Sequence, residues 1–265
     1  MSAMCRSLRI SRQAYYKSKK ARVKKALVLN HVKKQVLAQR NRCGLIGGRK
    51  LYHLMGQDLP IGRDKFFEYL RVHRLLVTRK RKYAKTTNSM HRFRVHKNLI
   101  KETRAISADQ IWVSDITYLR TRSGFCYLSL ITDAYSRKIV GYDLSDSLAM
   151  EGSIRALKMA KKQVNNTIQT IHHSGRGFQY CRHKYQDLLR KYSMKTSMTN
   201  KGDCYENALA ERVNGILKQD FCPDMTFENL EQAKKAVKQA INAYNNNRPH
   251  WGLNLNVPNK VYCVN

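Results

Sequence analysis

The sequence predicts an α/β fold, a mixed five-stranded sheet with flanking helices, preceded by an all-helical and strongly basic region. After about residue 105, strand-like and helical segments follow one another in the order βββαβαβα, which gives three antiparallel strands and then crossover units. Residues 1–100 instead have helical composition throughout. The charge divides in the same place, because residues 1–100 hold 27 Lys and Arg against 3 acids and contribute +24 of the net charge of +33.

The composition narrows the possible classes of protein. A hydrophobic share of 42% and an aromatic share of 9% allow a packed core, so the chain is not a disordered polycation. No run approaches the roughly 18 apolar residues of a membrane span, and the first residues do not form a signal peptide. Seven Cys without a Cys-x-x-Cys motif predict reduced thiols and a cytoplasmic protein.

The basic half contains a candidate DNA-binding motif. Helices are expected over residues 12–17 and 23–40, and a helix–turn–helix is expected over residues 50–55 and 64–76, with Pro and Gly in the turn at 58–62. The second helix should bury Phe66, Phe67 and Leu70. Such a unit lays its second helix in a major groove, although a small helical bundle without groove contact would give the same pattern.

A segment without acids follows this motif. Between residues 78 and 97 the chain carries eight Lys and Arg with little periodicity: Arg79, Lys80, Arg81, Lys82, Lys85, Arg92, Arg94 and Lys97. This composition predicts a linker that follows DNA phosphates, with binding that weakens as salt rises because counterions are released. A merely solvated basic surface is the alternative, but a surface this charged would repel itself without a polyanion.

The second half of the chain supplies the sheet. The predicted strands, rich in β-branched and aromatic residues, are residues 110–119, 125–132, 138–144, 167–173 and 194–199. Ser123-Gly124 between the first two strands is a hairpin signal. The predicted helices, with apolar residues at helical spacing, are residues 148–164, 178–192, 205–221 and 230–244.

Two of the few acids have a context that favours metal binding. Asp115 lies in the middle of a predicted strand among apolar residues, where an Asp is disfavoured unless it is hydrogen-bonded or functional. Glu211 lies in a predicted helix with Asn207 and Lys218 on the same face. A carboxylate beside an amide and a lysine suits a Mg²⁺ ligand next to a DNA phosphate, and phosphoryl transfer commonly uses two such ions. The alternatives are a structural Asp and a solvated Glu.

Five motifs in register carry a resemblance to a known family. In chain order they are Trp112-Val-Ser-Asp-Ile-Thr-Tyr-Leu119, Asp133-Ala-Tyr-Ser-Arg-Lys-Ile-Val-Gly141, His172-His-Ser-Gly-Arg-Gly-Phe-Gln-Tyr180, Gly202-Asp-Cys-Tyr-Glu-Asn-Ala-Leu-Ala-Glu211 and Tyr244-Asn-Asn-Asn-Arg-Pro-His250. Together they resemble the bacterial insertion-sequence transposases of the retroviral-integrase type, and more narrowly the second-reading-frame product of that family. The likeness covers nearly the whole chain, since Ile10-Ser-Arg-Gln-Ala-Tyr-Tyr16 and the helix–turn–helix resemble the family's DNA-binding half.

The resemblance implies a ribonuclease-H-like core in which an Asp-Asp-Glu (DDE) triad binds two Mg²⁺ or Mn²⁺ ions. Asp115 matches the first Asp and Glu211 the Glu, while Lys218 would hold end DNA by analogy. Water would cleave a phosphodiester at the element's end, and the 3′-hydroxyl would then attack target DNA without a covalent enzyme intermediate. The expected partners are terminal inverted repeats and target DNA, other copies of the chain on paired ends and the upstream-frame protein.

The implied domain organisation has four parts. We expect a helical DNA-binding region over residues 1–77, a basic linker over 78–105, an integrase core over 106–225 and a C-terminal helix and tail over 226–265. The Arg248-Pro249-His250-Trp251 signature in the last part is open to two interpretations. It either contacts DNA or a partner, or it stops the helix and packs its Trp on the core.

The second Asp of the implied triad is missing. The family places it about thirty-five residues before the Glu, in a His-Ser-Asp-x-Gly segment, and Gly175 stands there with the surrounding motif intact. Glycine has no side-chain oxygen for a metal, so we expect the fold and DNA binding to be kept and catalysis to be impaired. Three nearby acids are poor candidates for rescue: Asp187, Asp203 and Glu206. Asp133 is expected to be structural.

Two further readings stay open at this point. The chain could be a catalytically dead DNA-binding homologue that occupies terminal repeats and inhibits active copies, as Gly175 favours. It could also be a ribonuclease-H-like nuclease acting on RNA–DNA hybrids, against which the basic N-terminal half argues. His172 and His173 could contact DNA near the site, and a metal-ligand role is not expected because a hard ion prefers oxygen.

Overall fold

The fold is taken from a computed structural model. It describes residues 2–78, 93–164, 169–200, 205–222 and 226–263. The chain divides into two compact units. The first comprises residues 1–42 and 46–78, and the second comprises residues 43–45 and the described residues from 93 onward.

The first unit is helical, as the sequence predicts. Its helices are α1 (Ser2–Ser7), α2 (Arg12–Cys43), α3 (Gly48–Met55) and α4 (Arg63–Val72). The two helices expected before residue 41 are one continuous helix, because the residues between them contain no Gly or Pro to interrupt it. The last helix ends four residues earlier than expected, where Arg74 takes a positive φ of 54° and the Leu75 N–H donates to the Leu70 carbonyl.

The helix pair α3–α4 has its own small core. Phe66 and Leu70 are completely buried, as are Leu51 of α3 and Ile46 before it. Phe67, which the sequence predicts to be buried, is only half-buried because it lies on the next stripe of α4. This core fixes the two helices of the predicted helix–turn–helix against each other.

The second unit contains a mixed sheet with the predicted topology. Its strands are β1 (Ile111–Thr121), β2 (Gly124–Asp133), β3 (Ile139–Ser145), β4 (Ile171–Ser174), β5 (Lys195–Met198) and the two-residue β6 (Thr226–Phe227). The order is β3-β2-β1-β4-β5, with β1, β2 and β3 antiparallel and β4 and β5 parallel to β1. The sixth strand was not predicted, and it adds a short parallel pairing to the end of β1.

Helices cover both faces of this sheet. They are α5 (Met150–Lys161), α6 (Phe178–Cys181), α7 (His183–Lys191), α8 (Ala208–Ile216), α9 (Leu230–Asn247) and α10 (Pro258–Tyr262). One core joins Leu119, Leu128 and Leu130 of the sheet to α8 and α9. The other joins Trp112 and Ile131 to α5, α6 and α7. The arrangement is a ribonuclease-H-like fold, in which the carboxyl end of β4 lies beside the middle of β1, between the two layers of helices.

Two helices and one hairpin loop differ from the prediction. The helix expected over residues 178–192 is split at Arg182, whose extended backbone (ψ 143°) separates α6 from α7. The helix expected over residues 205–221 begins as a 3₁₀ turn, continues as α8 and ends as a π-helical turn, Leu217–Phe221. The hairpin loop between β1 and β2 lies one residue earlier than expected, since Thr121 pairs with Gly124.

Part of the predicted basic linker is held by the sheet. The Met198 N–H donates to the Lys97 carbonyl at 3.4 Å, and the Leu99 N–H donates to the Ser197 hydroxyl at 2.8 Å, so this segment runs along the outer edge of β5. The candidate DNA-binding residues Arg79, Lys80, Arg81, Lys82 and Arg92 lie outside the described residues, whereas Arg94 is described and exposed. Within the described ranges, no helix combines the length and the hydropathy that a membrane span needs.

Candidate active site

Asp115 lies in β1, the central strand of the sheet, one residue past the last pairing of β1 with β4. Its side chain is on the sheet face covered by α8 and α9. There the amide nitrogen Nδ2 of Asn214 donates to Asp115 Oδ2 at 2.7 Å. An Asp is disfavoured in a buried strand, so this hydrogen bond is what allows a carboxylate at this position.

The surroundings of Asp115 raise the pKa of its carboxyl above the ordinary value of an Asp in water. Burial of the carboxyl raises its pKa to about 6, and the nearby charge of Glu211 acts in the same direction. The hydrogen bond from Asn214 and the positive charge of Lys218 oppose this rise. A buried carboxyl with a raised pKa beside a second carboxylate and a lysine is typical of a functional site.

The α8 helix brings the other predicted residues to Asp115. Asn207, Glu211, Asn214 and Lys218 follow one another at spacings of three or four residues, so they form one stripe along the helix and its π-helical extension. Asn207 Nδ2 donates to the Ser114 carbonyl at 3.2 Å, and Lys218 Nζ donates to Thr117 Oγ1 at 3.1 Å. The stripe therefore lies along β1 on both sides of Asp115.

Glu211 is the exposed member of this stripe. Burial by its neighbours raises its pKa, although the residue as a whole stays accessible. Asp115 and Glu211 are thus a half-buried and an exposed carboxylate on the side of the sheet that α8 covers. The positions of Asp115, Glu211, Asn207 and Lys218 agree with the grouping that their sequence contexts indicate.

Gly175 lies directly beside Asp115. Ser174, the last residue of β4, pairs with Ser114 in parallel register, so Gly175 comes one residue past β4 just as Asp115 comes one residue past the pairing in β1. A Cβ added at Gly175 would meet no heavy atom of the described residues within 4 Å, and the φ of Gly175 is outside the left-handed region. In the part of the chain that the structure describes, neither the backbone nor the packing therefore requires glycine here.

The two histidines of β4 are buried and hydrogen-bonded. His172 Nε2 lies 2.8 Å from the Ser114 hydroxyl and 3.0 Å from the Tyr185 hydroxyl, and His173 Nδ1 lies 2.8 Å from the Ser197 hydroxyl. Burial lowers the pKa of His172 to about 3 and that of His173 to about 4, so both rings are neutral. Both side chains are completely buried, so the expectation that they could contact DNA directly is wrong.

The acids considered as substitutes have other partners. The Glu206 carboxylate accepts hydrogen bonds from the backbone N–H and the side chain of Asn200, and these bonds lower its pKa against the effect of burial. Asp187 pairs with Arg190 on the exposed face of α7. Asp203 lies outside the described residues.

Asp133 has the structural environment that the sequence predicts. The carboxylate is completely buried and accepts hydrogen bonds from the Asp109 N–H and from the N–H and hydroxyl of Ser136. Burial is the largest influence on Asp133 and raises its pKa. These bonds fix the turn between β2 and β3.

The donor atoms at the site suit a hard cation but are incomplete. Asp115 and Glu211 offer carboxylate oxygens, and the amide oxygens of Asn207 and Asn214 are buried without a hydrogen-bond partner among the described residues. Oxygen ligands of this kind are those that Mg²⁺ and Mn²⁺ prefer. In the described part of the chain, however, no three acids, Cys or His come together as a metal site. Gly175 adds no side-chain oxygen to this set.

The residues of the C-terminal signature differ in burial. Arg248 is buried and forms an ion pair with Asp220, with its Nε 3.0 Å from Asp220 Oδ2, in the π-helical turn that follows α8. Trp251 is 57% exposed, so the expectation of a Trp packed on the core is wrong. Through this ion pair, Arg248 stabilises the helix end that carries Lys218. Because Arg248 is buried, it cannot contact DNA directly.

Sequence reasoning missed Asn214, the residue in direct contact with Asp115. The signal was present, because Asn214 follows Glu211 by three residues and therefore lies on the same helix face. A polar side chain on the buried stripe of an otherwise apolar helix is a candidate partner for a buried charge.

The chain is similar to known proteins over nearly all of its length. Residues 106–204 and 192–258 each match a family described as an integrase core domain. The chain is 33% identical over 263 residues to the "Insertion element IS600 uncharacterized 31 kDa protein" of Shigella sonnei, with 94% of each chain covered. It is 30% identical over 257 residues to "Transposase InsF for insertion sequence IS3fB" of Escherichia coli K12, with 94% of this chain and 89% of the relative covered. In a solved intasome of simian T-cell lymphotropic virus bound to PP2A regulatory subunit B56 gamma, one chain shares the fold, with a TM-score of 0.52 and 15% identity over 82% of this chain and 74% of that chain.

Proposed function

Because the chain belongs to the bacterial insertion-sequence transposases of the integrase (DDE) type, we propose that it binds the ends of its element but cleaves and joins DNA poorly. The observation that carries this proposal is Gly175 beside Asp115. The scaffold of a phosphodiester-cleaving and strand-transferring enzyme is in place, and one of its carboxylates is not.

Asp115 and Glu211 are the proposed metal ligands. They lie on the side of the sheet that α8 covers, close enough for the charge of Glu211 to raise the pKa of Asp115. Bound Mg²⁺ or Mn²⁺ would activate water and stabilise the leaving oxygen. With two carboxylates instead of three, we expect weak binding of the first ion and weaker binding of a second.

The proposed DNA contacts are basic and polar residues around this site. Lys218, whose ammonium lies 3.1 Å from the Thr117 hydroxyl, would reach a phosphate of the end DNA, with Asn207 on the same stripe. Arg94 is exposed and available to a phosphate. The other proposed phosphate contacts in the basic linker are Arg79, Lys80, Arg81, Lys82 and Arg92. Binding through such residues should weaken steeply with salt.

Double-stranded DNA is the proposed partner, as terminal inverted repeats and as target. Strand transfer of two ends needs more than one active site, so we propose that further copies of the chain assemble on paired ends. The upstream-frame protein is a second proposed partner. A chain that binds the repeats without cutting them would act as an inhibitor of active copies, and Gly175 is the observation that favours this second function.

The test is a strand-transfer assay that compares the chain with its Gly175→Asp variant. Both proteins are given duplex DNA of the element's end, plasmid target and Mg²⁺ or Mn²⁺. We expect the variant to be at least about a hundred-fold more active, because a third carboxylate restores ion affinity and geometry together. Gly252→Asp is the matched control, since an added Cβ at Gly252 also meets no heavy atom of the described residues within 4 Å, and Gly252 lies in a 3₁₀ turn after α9 and not on the sheet.

Two results would contradict the proposal. Robust strand transfer by the unaltered chain would show that Gly175 does not impair catalysis. If the chain binds the end DNA but Gly175→Asp does not increase strand transfer, the inhibitor function would be the better explanation. An RNA–DNA hybrid is included as a substrate, and cleavage of the hybrid in preference to strand transfer would identify a ribonuclease-H-like nuclease instead.

A further inference from the structure

An open concavity of about 370 Å³ lies on the α3–α4 pair of the first unit. It is lined by Arg49, Arg63, Asp64, Phe67, Glu68 and Arg71. None of these residues belongs to the catalytic site or to the basic linker. Three guanidinium groups thus meet on one small surface of the predicted helix–turn–helix.

The helical repeat explains why these side chains converge. Arg63, Phe67 and Arg71 are spaced by four residues and form one stripe of α4. Phe67 is half-buried as the floor, and it lies against Gly48 at the start of α3, where a Cβ would come within 2.8 Å of the Phe67 ring. Only a glycine lets the ring approach so closely, and Arg49 follows directly in the chain.

The guanidinium groups in this concavity are available to a ligand. Arg49, Arg63 and Arg71 are exposed, and in the described part of the first unit no ion pair joins them to Asp64 or Glu68. The Arg63 guanidinium lies over the Phe67 ring at 5.9 Å from its centroid, which limits its orientations. Arginines that are pre-oriented but not paired are suited to bind an anion in two-pronged geometry.

We propose that this concavity is the seat of one phosphodiester group of the DNA backbone. The inference rests on the proposed function, because it assumes that the chain binds DNA. Three arginines and two acids give the lining a net charge of +1, which matches the single negative charge of one phosphodiester. The arginines bind the phosphate oxygens, and the two carboxylates keep a second phosphate out. Such a contact fixes the register of the helix–turn–helix on the duplex rather than reading its sequence.

The experiment measures binding of the full chain to end-repeat and scrambled duplexes by fluorescence anisotropy at several salt concentrations. Arg49→Ala, Arg63→Ala and Arg71→Ala should each weaken binding about ten-fold on both duplexes. The slope of log K against log salt should fall by about one for each variant. Arg63→Lys keeps the charge and loses the two-pronged geometry, so it should restore the slope but only part of the affinity.

Neutralising an acid separates a phosphate seat from a base-reading surface. Glu68→Gln should strengthen binding, because it removes a negative charge that faces the phosphate. If the carboxylate instead accepted a hydrogen bond from a base, Glu68→Gln would weaken binding on the end-repeat duplex alone, and that result would overturn the proposal. Arg22→Ala, which removes an exposed charge from α2, is the control and should change affinity by less than the three variants.

The failure of this inference can be told apart from that of the proposed function. Normal binding by all three Ala variants, with helical circular dichroism unchanged, would overturn the phosphate seat and leave DNA binding intact. Failure of the unaltered chain to bind any duplex would overturn the proposed function itself.

Discussion

The middle of β1 and the carboxyl end of β4 lie side by side, and their surroundings differ in charge and hydrogen bonding. Asp115 in β1 is an anion with a hydrogen bond from Asn214 at 2.7 Å and a lysine and a glutamate near it. The end of β4 carries neutral groups only, namely two uncharged histidines, Ser174 and Gly175. The Ser174 hydroxyl is buried with no hydrogen-bond partner among the described residues.

Under the proposed function, this difference means that a metal ligand and the place it would occupy are separate properties of a fold. Position 175 has the strand register and the space that a side chain would need, although glycine supplies none. A side chain here should change the stability of the folded state little, because no group of the described residues is packed against the position. Loss of Asp115 would be different, since Asn214 and Lys218 are placed around its charge.

A comparison of two glycines tests this separation most strongly. In Gly141 of β3 a Cβ would lie 2.3 Å from the Ala156 carbonyl oxygen and 2.8 Å from Ala160 Cβ, so Gly141→Ala should lower the free energy of unfolding by about 3 kcal/mol. Gly175→Ala should change it by less than about 1 kcal/mol, and could raise it by restricting the unfolded chain. Urea unfolding followed by the fluorescence of the buried Trp112 measures both changes.

Gly175→Asp belongs in the same series as a control. Repulsion by the neighbouring charge of Asp115 should lower its stability by at most about 1 kcal/mol, so that its gain in strand transfer cannot be attributed to folding. A loss of stability in Gly175→Ala as large as that in Gly141→Ala would mean that position 175 is packed, and the idea of a preserved empty place would be wrong.

The support of Asp115 predicts a smaller effect on catalysis. In the Gly175→Asp background, Asn214→Ala should reduce strand transfer by about 10- to 30-fold and raise the Mg²⁺ concentration needed for half-maximal rate. Without the hydrogen bond the pKa of Asp115 rises further, so the acid limb of the pH–rate profile should move to higher pH.

Asn242→Ala supplies the matched control for Asn214→Ala. Asn242 is an exposed Asn on α9, and its substitution should leave the rate and the pH profile unchanged. An Asn214→Ala variant with reduced rate and an unshifted pH profile would show that Asn214 only stabilises the fold.

The sequence predicted the grouping of the site better than its details. Asp115 and Glu211 could be selected because a carboxylate is unusual in a buried strand and because the motifs stand in register with a known family. The succession of three antiparallel strands and then crossover units followed from the alternation of strand and helix patterns. These signals depend on local spacing, which the chain itself contains.

Other features depend on contacts between distant parts of the chain. The burial of Arg248 against Asp220 joins residues 28 positions apart, and no local pattern distinguishes that arginine from an exposed one. The break at Arg182 and the π-helical turn after Ile216 have no signal in local helical propensity. The openness of position 175 also needs the assembled sheet, because a turn glycine and a missing ligand look alike in sequence.

The neutral end of β4 predicts a pH dependence of stability. The pKa of His172 falls to about 3 in the folded chain, so between about pH 6.5 and that value the unfolded chain binds a proton that the folded chain does not. Stability is therefore lost as the pH falls, by about 1 kcal/mol between pH 6.5 and 5.5 for this residue. His172→Asn should reduce the slope by this amount, whereas His31→Asn, on an exposed part of α2, should not. An NMR titration of the unaltered chain gives an independent check, and a His172 ring that gains its proton near pH 6 would contradict a buried, neutral end of β4.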